Sequence, residues 1–294
     1  ASGSLLFRPH IPGLAEHGFS VDNLDDAIAL DRHLHKLADM PTSSARNTVV
    51  VAGAGFTGIE AATEIPSRLR AILGENVELR VIIVDRNSAV APDMGEGPRP
   101  IIEDALRKIG VETRLNSGVA SLDKSGVTLS TGEHIEAATV IWAAGIRANP
   151  LTTKIPADRD NFDRLLVDGC LRVPSVPDVF ATGDAARAAC DDIGNYALMS
   201  CQHATRMGAF AGNNAAAELL GVPTRQYHQK AYVTCLDLGD AGAIFTRGWD
   251  RKVEMVGATA KKTKQEINTV WIYPPQAERA AALASADPEH VTEL

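Results

Sequence analysis

The sequence lacks any cysteine arrangement that would define a metal site or a redox-active pair. Its four cysteines form neither a CxxC nor a CxxxxC motif and match no zinc-ligand spacing. We therefore predict no metal site, and we interpret Cys201 and Cys235 as small buried core residues. Reduced thiols are typical of cytoplasmic proteins, and we predict that localisation. The cysteines are Cys170, Cys190, Cys201 and Cys235.

Long hydrophobic runs and an excess of positive charge are also absent. No run reaches the roughly 18 apolar residues that a membrane-spanning helix needs. The first residues have neither the positive region nor the apolar core of a signal peptide. A formal net charge of −8 counts against a nucleic-acid partner, because such a partner requires a basic face. The 294 residues, 45% of them hydrophobic, are enough for two domains with cores of their own.

A glycine-rich turn follows the apolar run Thr48–Ala52, which is typical of a buried parallel strand. The spacing is GxGxxG, and helical sequence comes next. In this context the first glycine allows a tight turn, the second lets the backbone approach a pyrophosphate, and the third allows close packing of helix on strand. The N-terminus of the helix offers N–H groups and partial positive charge to the phosphates. The predicted cofactor-binding residues of this turn are Gly53, Gly55, Phe56, Thr57 and Gly58.

The next predicted strand ends at Asp85, and Arg86 follows directly. A carboxylate at this point can accept hydrogen bonds from both ribose hydroxyls, whereas a guanidinium favours a 2′-phosphate. Because the carboxylate repels that phosphate, we predict NADH rather than NADPH. Glu60 lies in the first turn of the helix after the glycines. Two interpretations of Glu60 stay open: its carboxylate is stabilised by the helix dipole, or it lies close to the nicotinamide.

A second apolar run begins at Val179 and stops at Thr182-Gly183-Asp184. We predict a strand over 179–182. A strand that ends in Gly-Asp at the edge of a parallel sheet places a carboxylate where a ribityl hydroxyl can bind. The alternative is an ordinary junction at which Asp184 caps the next helix. The residues by themselves favour that alternative.

Read together, these motifs resemble the pyridine nucleotide–disulfide oxidoreductase superfamily, whose NAD domain is inserted within its FAD domain. Residues 1–4 (ASGS) are similar to the ATGS segment before the insertion, residues 140–150 to the return strand, and residues 166–184 to the second flavin segment. The likeness extends over residues 1–220 and is greatest to type II NADH dehydrogenases. The superfamily's first FAD fingerprint has no counterpart here. We therefore expect a further βαβ unit of about 30 residues upstream, without which this chain alone would be inactive.

The resemblance implies an FAD-dependent oxidoreductase that passes a hydride from NADH to the flavin and electrons to an acceptor such as a quinone. It implies catalytic roles for Glu60 and Gln202. It also assigns Ala144 and Gly145 to the nicotinamide cofactor, and Gly183 and Asp184 to the flavin.

The helix after Asp184 carries the superfamily pattern AQxAxQxG, in which Gln202 and Gly208 match. Arg206 replaces the second glutamine, which counts against a quinone. The alternatives are a soluble reductase of a small iron–sulfur electron carrier and a non-catalytic NAD(H)-binding module. Homodimer formation and peripheral membrane contact stay open. We interpret the basic cluster Lys261, Lys262 and Lys264 as a solvated helix face.

The predicted fold class is α/β, with a three-layer Rossmann-like NAD(P)-binding domain inserted in an incomplete FAD-binding domain, plus a small α+β C-terminal part. Pro66 predicts a kink or early break in the first helix of the NAD(P) domain. The predicted segments are 1–44 (part of the FAD domain and a connecting helix), 45–147 (NAD(P)H-binding), 148–225 (second part of the FAD domain) and 226–294 (C-terminal part).

Overall fold

The computed structural model describes residues 1–289, and the chain forms two compact units. We call residues 6–145 and 233–266 the sheet unit, and residues 1–5, 146–232 and 267–289 the flanking unit. The strands are β1 (Ser4–Leu6), β2 (Gly18–Phe19), β3 (Thr48–Ala52), β4 (Arg80–Val84), β5 (Val111–Arg114), β6 (Val119–Asp123), β7 (Gly126–Leu129), β8 (His134–Glu136), β9 (Thr139–Trp142), β10 (Ile146–Ala148), β11 (Leu165–Leu166), β12 (Ala186–Arg187), β13 (Val233–Asp237), β14 (Ala243–Arg247) and β15 (Lys252–Val256). The α-helices are α1 (Leu14–His17), α2 (Leu24–Lys36), α3 (Phe56–Leu73), α4 (Arg99–Ile109), α5 (Cys201–Leu219), α6 (Gly257–Glu266) and α7 (Arg279–Ser285).

A five-stranded parallel sheet of order β2-β9-β3-β4-β5 forms the core of the sheet unit. All five residues of β3 are buried. Val49 and Val51 face one apolar cluster, and Val50 and Ala52 face another. A strand covered on both faces needs apolar residues at every position, which explains the uninterrupted run in the sequence. The predicted α/β class is confirmed.

Helix α3 continues through Pro66 to Leu73, so the predicted early break at the proline is wrong. Proline in a helix interior removes a backbone hydrogen bond and costs about 3 kcal/mol. Here Ile65, Pro66 and Leu69 are all buried. Their packing offsets the local cost, and the helix stays long enough to cover the sheet.

A three-stranded antiparallel sheet, β13-β14-β15, and helix α6 complete the sheet unit. The turn after β13 lies directly against α3, where a Cβ added to Gly239 would be 2.2 Å from the Thr63 carbonyl oxygen. Residues 233–266 therefore belong to the same compact unit as the parallel sheet. The predicted start of a separate C-terminal part at residue 226 stays a prediction.

The flanking unit holds the pair β11-β12 and the long helix α5. The strand predicted over 179–182 is wrong, because this segment forms only an isolated bridge between Arg172 and Phe180. Asp178, just before it, has a left-handed φ of 60°, which interrupts the extended backbone that pairing requires. Within residues 1–289, no helix combines the length and the apolar character needed to cross a membrane.

Candidate functional site

Two of the three glycines in the turn after β3 are required by packing within the protein. Gly53 has a φ of 121°, and a Cβ there would lie 2.8 Å from the carbonyl oxygen of Ala143. A Cβ on Gly58 would lie 1.9 Å from the carbonyl oxygen of Gly53. The turn thus closes tightly on itself and on the end of β9, where the predicted site residue Ala144 lies.

Gly55 has no such requirement. Its φ of −80° is open to any residue, and a Cβ there would meet nothing within 4 Å. Helix α3 begins at the next residue, Phe56, and no side chain caps its N-terminus. The N–H groups of the first turn, which includes Thr57, have no partner within the helix. An uncapped helix terminus behind an unobstructed glycine is the arrangement that a pyrophosphate needs.

The carboxylate of Asp85 is fixed beside this turn. Its Oδ2 accepts a hydrogen bond from the Ala54 N–H at 2.6 Å. Its Oδ1 accepts from the backbone N–H and the side-chain Nδ2 of Asn87, at 2.7 and 2.8 Å. The adjacent Arg86 packs along Gly118. A Cβ added to Gly118 would lie 3.1 Å from the Cγ of Arg86. Glycine turn and carboxylate therefore meet at the carboxyl edge of the sheet, as the sequence predicts for a dinucleotide.

Gly145 lies just beyond β9 with a φ of 84°, and its carbonyl oxygen accepts a hydrogen bond from the Phe7 N–H at 3.0 Å. The Trp142 indole N–H donates to the Phe7 carbonyl oxygen at 2.9 Å. The two bonds fix the backbone at the end of β9, beside the glycine turn.

Glu60 has partners on the C-terminal elements of the sheet unit. Its Oε1 accepts a hydrogen bond from the Asp237 backbone N–H at 3.0 Å, and Lys264 Nζ lies 2.9 Å from the same oxygen. Glu64, one turn further along α3, pairs with Lys261 Nζ at 2.8 Å. The two carboxylates hold β13 and α6 on α3.

The interpretation of the basic cluster as a solvated helix face is wrong for two of its three lysines. Lys261 and Lys264 have side chains only 26% and 14% exposed, and both pair with acidic residues. Burial opposes the charge of Lys261, but hydrogen bonds to Asp237 and Glu64 outweigh it and raise its pKa. Of the three lysines, only Lys262 is exposed. Helical spacing predicts which residues share a face, but not that this face meets Glu60 and Glu64 of α3.

In the flanking unit, Asp184 lies in a short 3₁₀ turn, Gly183–Ala185. Its Oδ2 accepts a hydrogen bond from the Ser4 hydroxyl at 2.6 Å. It does not cap a helix: the capping position of this turn is Thr182, and that of α5 is Ser200. In the part of the chain that the structure describes, the buried Thr182 hydroxyl has no hydrogen-bond partner. Because such a group is costly unless something bonds to it, an unpartnered hydroxyl two residues before a carboxylate fits a polar ligand.

Helix α5 presents its first turn to this region. Gly183 has a φ of 64°, and a Cβ added there would lie 3.4 Å from the Ala204 Cβ. Gln202 is two residues before Ala204 in the same turn. One turn later, Arg206 donates from Nε to the His228 carbonyl oxygen at 2.9 Å. Its guanidinium carbon also lies 5.4 Å from the Phe210 ring centre. The backbone of residue 228 therefore holds the arginine.

The cysteines divide by exposure. Cys235 is buried as predicted, and burial raises its pKa to about 11. The prediction that Cys201 is buried is wrong, because it is the first residue of α5 and is exposed. Residues 1–289 contain no group of three or more His, Cys, Asp or Glu side chains placed to hold a metal ion.

Sequence reasoning missed three side chains that position the predicted residues: Ser4, Asn87 and Lys264. Ser4 is part of the ASGS segment and could have been proposed from it. Asn87 stands two residues after Asp85, the spacing at which a side chain bonds back within a turn. No local signal connects Lys264 to Glu60, because the two are distant in sequence and meet only through packing.

Comparison with known proteins places these observations in a family. The sequence model of the family described as pyridine nucleotide-disulphide oxidoreductase matches residues 1–208. The chain is 52% identical over 291 residues to an NADH dehydrogenase-like protein of Mycobacterium tuberculosis, covering 98% of this chain and 72% of that protein. It is 35% identical over 183 residues to a type II NADH:quinone oxidoreductase of the same species, covering 55% and 39% of the two chains.

A solved structure shows the same fold. The NDH2 of Plasmodium falciparum, in complex with NADH, superposes with a TM-score of 0.75 over 96% of this chain and 74% of that one. The sequence identity is 13%, so this similarity concerns the fold alone.

Proposed function

Because the chain belongs to the pyridine nucleotide-disulphide oxidoreductase family, we propose that the protein transfers a hydride from NADH to FAD and passes the electrons to a quinone. The family resemblance read from the sequence is confirmed, and the protein is an oxidoreductase that uses a pyridine nucleotide. The identity of the nucleotide, the residues that bind it and the electron acceptor are the proposed parts.

The observation that carries the proposal is Gly55 in front of the uncapped terminus of α3. Neither its backbone angles nor its surroundings explain a glycine at this position, whereas a pyrophosphate approaching the helix N-terminus does. Asp85 lies beside the same turn and would accept a hydrogen bond from a ribose hydroxyl at Oδ2. Its negative charge favours NADH over NADPH, since it would repel a 2′-phosphate.

Flavin binding is supported by the flanking unit. Ser4 holds the Asp184 carboxylate, and the Thr182 hydroxyl, two residues earlier in sequence, is buried without a hydrogen-bond partner among residues 1–289. These groups suit the hydroxyl-rich ribityl chain of FAD, with Asp184 accepting and Thr182 free to donate or accept. When bound, FAD supplies the redox chemistry, and the protein supplies orientation.

Glu60 and Gln202 are the proposed residues near the reacting rings. Hydride transfer requires alignment of the two rings rather than a protein acid or base. Glu60 is held at one oxygen by Lys264 and by the Asp237 N–H, so its carboxylate has a defined orientation. A defined orientation is what a positioning role demands.

A quinone is the proposed acceptor because a relative with 35% identity is named as an NADH:quinone oxidoreductase. Arg206 stands where the superfamily pattern has glutamine, and for this reason we also consider a second electron acceptor. A small iron–sulfur protein is less suitable, because such carriers are acidic and this chain has a net charge of −8.

The proposal is tested by the visible absorption spectrum of the full-length protein before and after anaerobic addition of NADH. Flavin bands that bleach establish electron transfer from NADH. A colourless protein that still binds NADH would overturn the flavoenzyme proposal and favour a nucleotide-binding module. Mixing the reduced protein with a water-soluble quinone or with a ferredoxin, each without oxygen, then identifies the acceptor by the rate at which the bands return.

A further inference from the structure

We propose that Asn87 is a positioning residue that orients the Asp85 carboxylate and thereby sets the preference for NADH over NADPH. This inference rests on the proposed function, since it requires a nicotinamide dinucleotide at the glycine turn.

Both oxygens of the Asp85 carboxylate are committed to the protein. Oδ2 takes the Ala54 N–H, and Oδ1 takes two N–H groups of Asn87. A carboxylate has about four acceptor sites, two on each oxygen. Three are in use, so the remaining capacity lies on Oδ2, the oxygen beside the glycine turn. The two bonds from Asn87 therefore determine which oxygen is offered to a ribose hydroxyl.

Asn87 can act in this way because its backbone is fixed. Its carbonyl oxygen accepts a hydrogen bond from the Asn116 N–H at 2.9 Å, and the Asp85 carbonyl oxygen accepts from the Ser117 N–H at 2.9 Å. The Asp85 N–H donates to the Arg114 carbonyl oxygen at 3.0 Å. The loop after β5 thus anchors both residues, and the side chain of Asn87 acts from a rigid support.

The chemistry of the donor matters as much as its position. An asparagine amide is neutral, so it orients the carboxylate without cancelling its charge. The nearest cationic side chain in sequence, Arg86, packs along Gly118, and the hydrogen-bond partners described for Asp85 are the neutral N–H groups of Ala54 and Asn87. The negative charge that repels a 2′-phosphate is therefore retained, and a cation in place of Asn87 would weaken it.

Three variants of the full-length protein separate this role from a structural one. Asn87→Ala removes the side-chain donor, and Asn87→Ser restores a donor on a shorter side chain. Asn195→Ala is the matched control, because Asn195 holds Asp191 through the same pair of backbone and side-chain bonds elsewhere in the chain. Dissociation constants for NADH and NADPH are measured by titration, and kcat is measured at saturating NADH.

For Asn87→Ala we expect the ratio of the NADPH to the NADH dissociation constant to fall by about 3- to 10-fold, the net effect of one ordinary hydrogen bond. The affinity for NADH falls while kcat is retained, and Asn87→Ser recovers part of the ratio. Asn195→Ala leaves the ratio unchanged. If Asn87→Ala binds NADH with the wild-type ratio, the positioning role is overturned and the proposed function stands. A wild-type protein that binds neither nucleotide overturns both.

Discussion

The Ser4 hydroxyl donates a hydrogen bond to the Asp184 carboxylate at 2.6 Å, although 180 residues separate them in the chain. Ser4 belongs to the segment before residues 6–145, and Asp184 to the segment after them. The bond thus joins two distant segments of the flanking unit across an inserted stretch of sequence. Its carboxylate end is the residue to which the family resemblance assigns the flavin.

We expect Asp184→Ala to lower flavin affinity by about 10- to 100-fold, because it removes an acceptor for a ribityl hydroxyl in a partly buried site. Ser4→Ala should have a smaller effect in the same direction, since the carboxylate stays but loses its orienting bond. The ratio of flavin to protein absorbance in the purified full-length protein measures both. Asp192→Ala, at an exposed position of the same unit, is the control. An unchanged flavin content in Asp184→Ala would refute its assignment.

Gly55→Ala and Gly58→Ala should impair different properties, the first NADH affinity and the second thermal stability. A Cβ at Gly55 meets no protein atom, so the fold should be retained while NADH affinity falls at least tenfold through collision with the pyrophosphate. A Cβ at Gly58 would lie 1.9 Å from the Gly53 carbonyl oxygen, so this variant should unfold at a lower temperature. Thermal unfolding and NADH titration distinguish the two. Wild-type NADH affinity in Gly55→Ala would contradict the ligand-based explanation of this glycine.

Lys261→Ala should lower the free energy of unfolding by about 1–2 kcal/mol, because it leaves the largely buried Asp237 carboxylate without its hydrogen-bonded cation. Lys262→Ala, at the exposed neighbouring position, should change it by less than about 0.5 kcal/mol. Since the pKa of Lys261 is raised, its contribution should be constant near neutral pH and be lost only as pH rises above its ordinary value of 10.5. Urea denaturation of the wild-type protein and the two variants tests this. Equal effects of both substitutions would support the interpretation of the lysines as a solvated helix face.

Thiol reactivity should differ sharply among the cysteines. At pH 8 a maleimide or a disulfide reagent should modify Cys201 first, because it is exposed. Burial raises the pKa of both Cys190 and Cys235 to about 11, so at pH 8 neither has an appreciable fraction of the reactive thiolate. Mass spectrometry of the native protein after brief labelling identifies the modified residue. Labelling of Cys235 before Cys201 would contradict the burial described for it.

Features that depend on neighbouring residues were predictable. The run Thr48–Ala52 is a strand over the predicted bounds, and the helix predicted after the glycine turn begins at Phe56. Local reasoning was wrong where a distant segment decides the outcome. The proline in α3 is tolerated because the helix around it is buried, and Lys261 is paired because α6 packs on an acidic face of α3.

The sequence by itself determined the alternation of strands and helices, the glycine turn and the acidic residue after β4, because each is encoded by residue type at short spacing. Only the tertiary structure decided that Asn87 takes one oxygen of Asp85, that Lys264 meets Glu60, and that Ser4 reaches Asp184. The physical reason is that side-chain hydrogen bonds are short and directional. Which groups come within reach therefore depends on how segments distant in the chain pack together, and periodicity carries no information about that.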